Sequence, residues 1–116
     1  MTVTGVQEAR GLVHVALYNK PADFPKADAK YRGLGVPAEA PATTVVVPDI
    51  PAGTYAAAAF HDENGNEEFD QGLLGVPLER FGFSNGAQAF LSAPDFSEAA
   101  ISITIETNRF VIDLNQ

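Results

Sequence analysis

GLVHVALYN, residues 11–19, sets Val13, Val15 and Leu17 on one side of an extended chain and Leu12, His14, Ala16 and Tyr18 on the other. A period of two marks a strand. Because both sides are largely apolar, this strand is expected in the middle of a sheet. Working outward, Thr43 to Val47 is β-branched throughout and runs into Pro48, Asp49 and Pro51, with Gly53 suited to the turn that follows. Tyr55 to His61 then reads as a second strand bracketed by turn signals, with a helix as the competing reading. Its alanines at 56 to 59 would let a facing element come close, and Phe60 is expected to anchor the core. Farther on, Ile101, Ile103 and Ile105 alternate with Ser102, Thr104 and Glu106, and Thr107 and Asn108 lead to Phe110, Ile112 and Leu114. This pattern predicts a hairpin. Short alternating runs on a chain of this size predict an all-β fold, a single antiparallel β-sandwich of about seven strands occupying residues 1–116 as one domain.

Two longer stretches lack that pattern. Lys20 to Ala42 carries four prolines and four of the seven basic residues, Lys20, Lys26, Lys30 and Arg32, and is expected to be a solvated crossover between sheets with one helical turn. Gly72 to Pro94 is rich in glycine and aromatics, and Phe81, Phe83 and Phe90 are expected to dock it on the edge of the sandwich.

The composition narrows the function. With 46% hydrophobic and 19% charged residues in 116, the chain is of the folded globular kind. A formal net charge of -8 repels polyanions, so nucleic acid and anionic membrane surfaces are poor partners and cations are natural ones. The absence of cysteine removes disulfides, thiolate metal sites and thiol nucleophiles. No run approaches the ~20 apolar residues that span a bilayer, so no membrane insertion is expected. The opening MTVTGVQEARG has neither the basic start nor the apolar run of a leader, so an exported form would carry a leader absent from this sequence.

The chemistry gathers in HDENGNEEFD, residues 61–70, which holds five acids in ten residues. Asp62, Asn64, Asn66 and Asp70 stand at relative positions one, three, five and nine of a loop. A hard divalent cation takes six to eight oxygens, and a curled loop turns alternate side chains inward while a backbone carbonyl fills the gap. Here the carbonyl is that of Glu68. Asp62 and Asp70 balance the charge of calcium, and Asn64 and Asn66 add neutral oxygens. Magnesium, which prefers fewer protein ligands, fits less well. A complete EF-hand would have glycine at position six and glutamate at position twelve, where this chain has Glu67 and Leu73. Gly65 and Asn66 are expected to supply the curvature, and Glu79 the missing acid. The competing account is a metal-free connection whose Asp and Asn side chains cap their own backbone.

PAGTYAAAAFHDENGNEEFD (51–70), LLGVPLERFGFSNGA (73–87) and APDFSEAAISI (93–103) resemble, in order and spacing, the bacterial family known as domain of unknown function 2141. The resemblance rests on Tyr55, His61 to Asn66, Asp70, Gly75, Pro77, Glu79 and Gly82 to Asn85. It implies an exported protein, periplasmic or secreted, with a sandwich of the transthyretin or immunoglobulin type, and no established activity. Members commonly have glycine where this chain has Glu67, a departure that bears on the curvature of the loop.

Other patterns have plainer explanations. Gly82, Ser84 and Gly86 fit G-x-S-x-G, yet the hydrolase fold that uses this motif needs a histidine after the serine, and His14 and His61 both precede it. A turn whose polar groups bond the backbone is the better reading. His61 is expected to bond its neighbours at a strand end, and His14 to lie on a sheet surface. Two functions from different classes follow. One is a non-catalytic extracytoplasmic module in which calcium orders loops that meet a glycan or another envelope protein. The other is a small metal-assisted hydrolase built on Asp62, Glu79 and His61.

Overall fold

The computed structural model describes residues 1–26, 29–62, 80–87, 94–104 and 108–114. Among them the chain forms eight strands: β1 Thr2–Thr4, β2 Leu12–Tyr18, β3 Arg32–Pro37, β4 Ala42–Thr44, β5 Gly53–Asp62, β6 Phe81–Phe83, β7 Ile101–Ile103 and β8 Val111–Asp113. One sheet has the order β4-β1-β8, and a five-stranded sheet has the order β3-β2-β5-β6 with β7 also paired to β5. The fold is therefore mostly β. The pairing is mixed, because β1 runs parallel to β8 while the other pairs are antiparallel.

β2 is central, as its two apolar sides require, and β5 lies antiparallel along its whole length, from Leu12 opposite Asp62 to Tyr18 opposite Ala56. Their shared alternation makes two cores. Val13, Val15, Leu17, Ala57 and Ala59 join Val3, Val45, Ile112 and Leu114, so both sheets contribute to one buried cluster. Each such aliphatic side chain contributes roughly 1.5–3 kcal/mol by leaving water. On the opposite side of β2 and β5, Tyr18 and Ala56 pack with Phe24, Phe83, Ala87 and Ala99. The short helix α1, Phe96–Ala99, lies on this side against β5, where the alanines leave room. Asp95 caps α1, and its backbone N–H donates to Glu98 Oε1 at 3.0 Å in a reciprocal box.

A third cluster gathers Tyr55, Ile101 and Ile103. The Tyr55 hydroxyl donates to the Pro51 carbonyl at 2.7 Å. Burial, and then the neighbouring Tyr31 phenol, push the Tyr55 phenol above the usual tyrosine range, against the opposing pull of Arg32.

Several expectations are corrected. β7 and β8 do not form a hairpin, because β7 pairs with β5 in one sheet and β8 with β1 in the other. Alternation fixed which side chains turn inward but left the partner open, and Ile112 and Ile103 found different cores. The Lys20–Ala42 crossover contains its helical turn at Pro21–Asp23, but also β3, an exposed strand on β2. The strand expected from Thr43 to Val47 is shorter, Ala42–Thr44, and β1 went unread because three residues are too few to show a period. Phe60 is half-buried and sits beside His14, outside the cores. Phe81 and Phe83 dock on the second core as expected, whereas Phe90 lies outside the described residues.

Ser84 explains the Gly-x-Ser-x-Gly match. The outer edge of β5 pairs with β7 over Gly53–Tyr55 and with β6 over Ala58–Phe60, leaving a break between them. Fully buried Ser84 fills it, accepting a bond from the Ala57 N–H at 2.9 Å and donating to the Ala99 carbonyl. Beside it, Asn85 takes the left-handed conformation at φ 57° and its amide donates to the Glu98 carbonyl at 3.1 Å. Gly82 is required for another reason: a Cβ there would run into the Asp113 carbonyl where β6 passes β8.

Candidate functional site

Asp62 ends β5 at the point where the acidic stretch of sequence begins, and its side chain is fully buried. In the β2–β5 register, Leu12 faces Asp62 and His14 faces Phe60, so His14 and Asp62 are diagonal neighbours on one side of the sheet. That separation is within reach of a long side chain. His14 Nε2 lies 3.0 Å from Asp62 Oδ2. Since an ionised carboxylate only accepts, the imidazole N–H is the donor. The ring stacks on Phe60 with centroids 4.9 Å apart and planes 24° from parallel. Its other flank crosses β3 at Gly35, where a Cβ would stand 2.7 Å from ring atoms. A row of Gly35, His14 and Phe60 across three strands thus fixes the imidazole and aims it at Asp62.

Adjacent residues on a strand point to opposite sides. His61 therefore turns away from Asp62, and its Nε2–H donates to the Arg10 carbonyl at 2.7 Å. This is the strand-end role expected of it, and it separates His61 from the carboxylate next to it. The His61 backbone N–H donates to the Arg80 carbonyl at 2.9 Å. Phe60 faces Phe81, and this bond carries the same register one step farther, so the chain that leaves after Asp62 comes back beside its own starting point.

Of the six expected ligands, Asp62 is described, while Asn64, Asn66, Glu68, Asp70 and Glu79 lie outside the described residues. Among the described residues no three of His, Cys, Asp and Glu come together as a metal-holding group. Sequence reasoning missed His14, which it read as a surface residue. The β2 alternation gave its side correctly, but its partner follows only from the register with β5.

A family described as an uncharacterised protein conserved in bacteria, DUF2141, matches residues 1–110. The chain belongs to DUF2141. No curated protein and no solved structure matches this DUF2141 chain. The match takes in both strands of the Asp62 site and the Ser84 turn, so the two buried polar groups described above lie within the DUF2141 region.

Proposed function

We propose that this chain is a calcium-binding module of the bacterial cell envelope, periplasmic or secreted, whose cation orders a loop surface that meets a glycan or another envelope protein. Asp62, Asn64, Asn66, the Glu68 carbonyl and Asp70 are the ligands, with Glu79 as the sixth. The observation that carries the reading is the buried Asp62 carboxylate, held by His14 at 3.0 Å where the acidic loop begins. Metal-binding carboxylates are commonly oriented by such hydrogen bonds. The bond from the His61 N–H to the Arg80 carbonyl supports Glu79 as a ligand, because Arg80, which follows it in sequence, stands beside the residue that precedes Asp62. The shared core of the two sheets supports a sandwich of the transthyretin or immunoglobulin type. The module is non-catalytic in this reading, since His61 faces away from Asp62.

Calorimetric titration of chelator-treated protein with calcium tests the proposal. With free calcium about a hundredfold above the dissociation constant, linkage adds roughly 2.7 kcal/mol. For a chain of this length that raises the melting temperature on the order of 10 °C. Chelator and Asp62→Ala should each abolish the increment, and magnesium should reproduce it poorly. No heat and no thermal shift at millimolar calcium would leave the loop as a metal-free turn.

A further inference from the structure

The end of the β2–β5 pair opposite Asp62 is incompletely filled. A cavity of about 300 Å³ opens there, walled by Leu17 and Val47 of the main core, by Ile103 and Phe110 of the Tyr55 cluster, and by Ile50, which touches both. It is open to solvent and has room for roughly ten waters. Its position explains why it exists: the two clusters meet at this end through Met1 and Ile50 instead of interlocking along a continuous face.

Asp49 is the only ionisable side chain among the described residues that line the cavity. It is solvent-exposed and so stands at the mouth, with its backbone in the left-handed region at φ 59°. The turn that carries it is held from behind by the Tyr55 hydroxyl on the Pro51 carbonyl. The terminal ammonium of Met1, which also lines the space, is directed to the Val45 carbonyl at 2.7 Å. The lining is mixed, with Thr104 and Asn108 joining Asp49 among the apolar side chains, and apolar walls with a small number of placed polar groups are the usual form of a small-molecule site. A carboxylate at its rim, on a chain of net charge -8, selects the sign of the guest.

We infer that this cavity binds a small molecule with an apolar body and a cationic head, an alkyl- or arylammonium, with the body between Leu17, Ile50 and Ile103 and the head at Asp49. The site is separate from the calcium reading. It lies at the other end of the β2–β5 ladder, where Tyr18 faces Ala56 rather than Leu12 facing Asp62.

The test uses the whole chain in chelator with n-hexylammonium, n-hexanol and n-hexanoate as probes, followed by methyl chemical shifts and thermal melting. The expected order of affinity is ammonium, then alcohol, then carboxylate. The shifts should centre on Leu17, Ile50 and Ile103 and spare the exposed Val46 and Val111. At tenfold excess over the dissociation constant, melting should rise on the order of 5 °C. Asp49→Asn retains a residue that tolerates the left-handed backbone and should bring the ammonium down to the alcohol, a loss of roughly threefold for an exposed charge pair. Ile50→Trp should fill the chamber and end binding of all three probes. Absence of binding at millimolar probe, equal affinity for the ammonium and the carboxylate, or shifts that centre on the acidic loop would each overturn the inference.

Discussion

Ser84 and Asp62 are buried equally completely, both at 0% exposure, yet the fold treats them differently. Ser84 is neutral and uses its hydroxyl in both directions on backbone groups of β5 and of Ala99, the last residue of α1, so it completes a ladder the strands leave broken. Asp62 is an acid, and burying a carboxylate in its charged form costs several kcal/mol that a hydrogen bond offsets in part. The first residue needs nothing from outside the chain. The second stands at the start of a stretch of sequence dense in acids, where the proposed cation would offset more of the cost. Burial alone therefore does not distinguish a structural polar group from a functional one; the chemistry of its partners does.

The largest effect is expected at Ser84. Ser84→Ala strands a buried N–H and a buried carbonyl, each costing about 1–3 kcal/mol, so a loss of roughly 2–6 kcal/mol is expected in denaturant unfolding. The loss should be the same with calcium or chelator. A calcium-dependent loss would mean that the seam and the loop are one system.

The Asp62 side is sharpened at His14. His14→Phe keeps an aromatic ring against Phe60 but removes the donor to Asp62. Calcium affinity should fall on the order of tenfold, as expected when the group orienting a ligand is removed, and stability in chelator should fall by about 1–3 kcal/mol, because Asp62 loses a donor while staying buried. If stability fell and affinity held, His14 would belong with Ser84 as a structural residue.

The smallest effect is a reference for the apolar end of the ladder. Tyr55→Phe removes the bond to the Pro51 carbonyl, worth about 1 kcal/mol at neutral pH. Because the folded-state phenol is pushed above its ordinary value, the contribution of Tyr55 is fully present below pH 10.0 and is lost as pH rises through the folded value. The stability gap between the parent and Tyr55→Phe should therefore narrow above pH 10, measured by urea unfolding across the alkaline range. A gap that widened there would reverse the sign assigned to burial.

What the sequence disclosed follows a physical line. β2 and β5 were legible because each is long enough to show its period and lies deep enough to be apolar on alternate residues or on both sides. β3 was not, because Gly33 and Gly35 give an edge strand no side-chain pattern, and the reason for Gly35 lies on the next strand in the ring of His14. The faces of Ile103 and Ile112 were readable, but their partners were not, since alternation carries no information about which strand comes alongside. Asp62 could be singled out from the oxygen spacing of its loop. Its hydrogen bond to His14 spans a diagonal across two strands that are remote in sequence, and so it appears only once the register is known.

The parallel pairing of β1 with β8 has a further consequence, for the order in which the molecule assembles. Thr2, Val3 and Thr4 lie beside Val111, Ile112 and Asp113, and the Leu114 N–H donates to the Thr4 carbonyl at 2.9 Å. Nearly the whole described chain separates these neighbours, so the middle strand of the smaller sheet acquires one of its two flanks only after the last strand has been made. Closing so long a loop is costly before any contact rewards it, and chains dominated by such pairings fold in milliseconds to seconds rather than microseconds. During synthesis the β2–β5 pair can form early. β1 must wait for β8, with one edge open until it arrives.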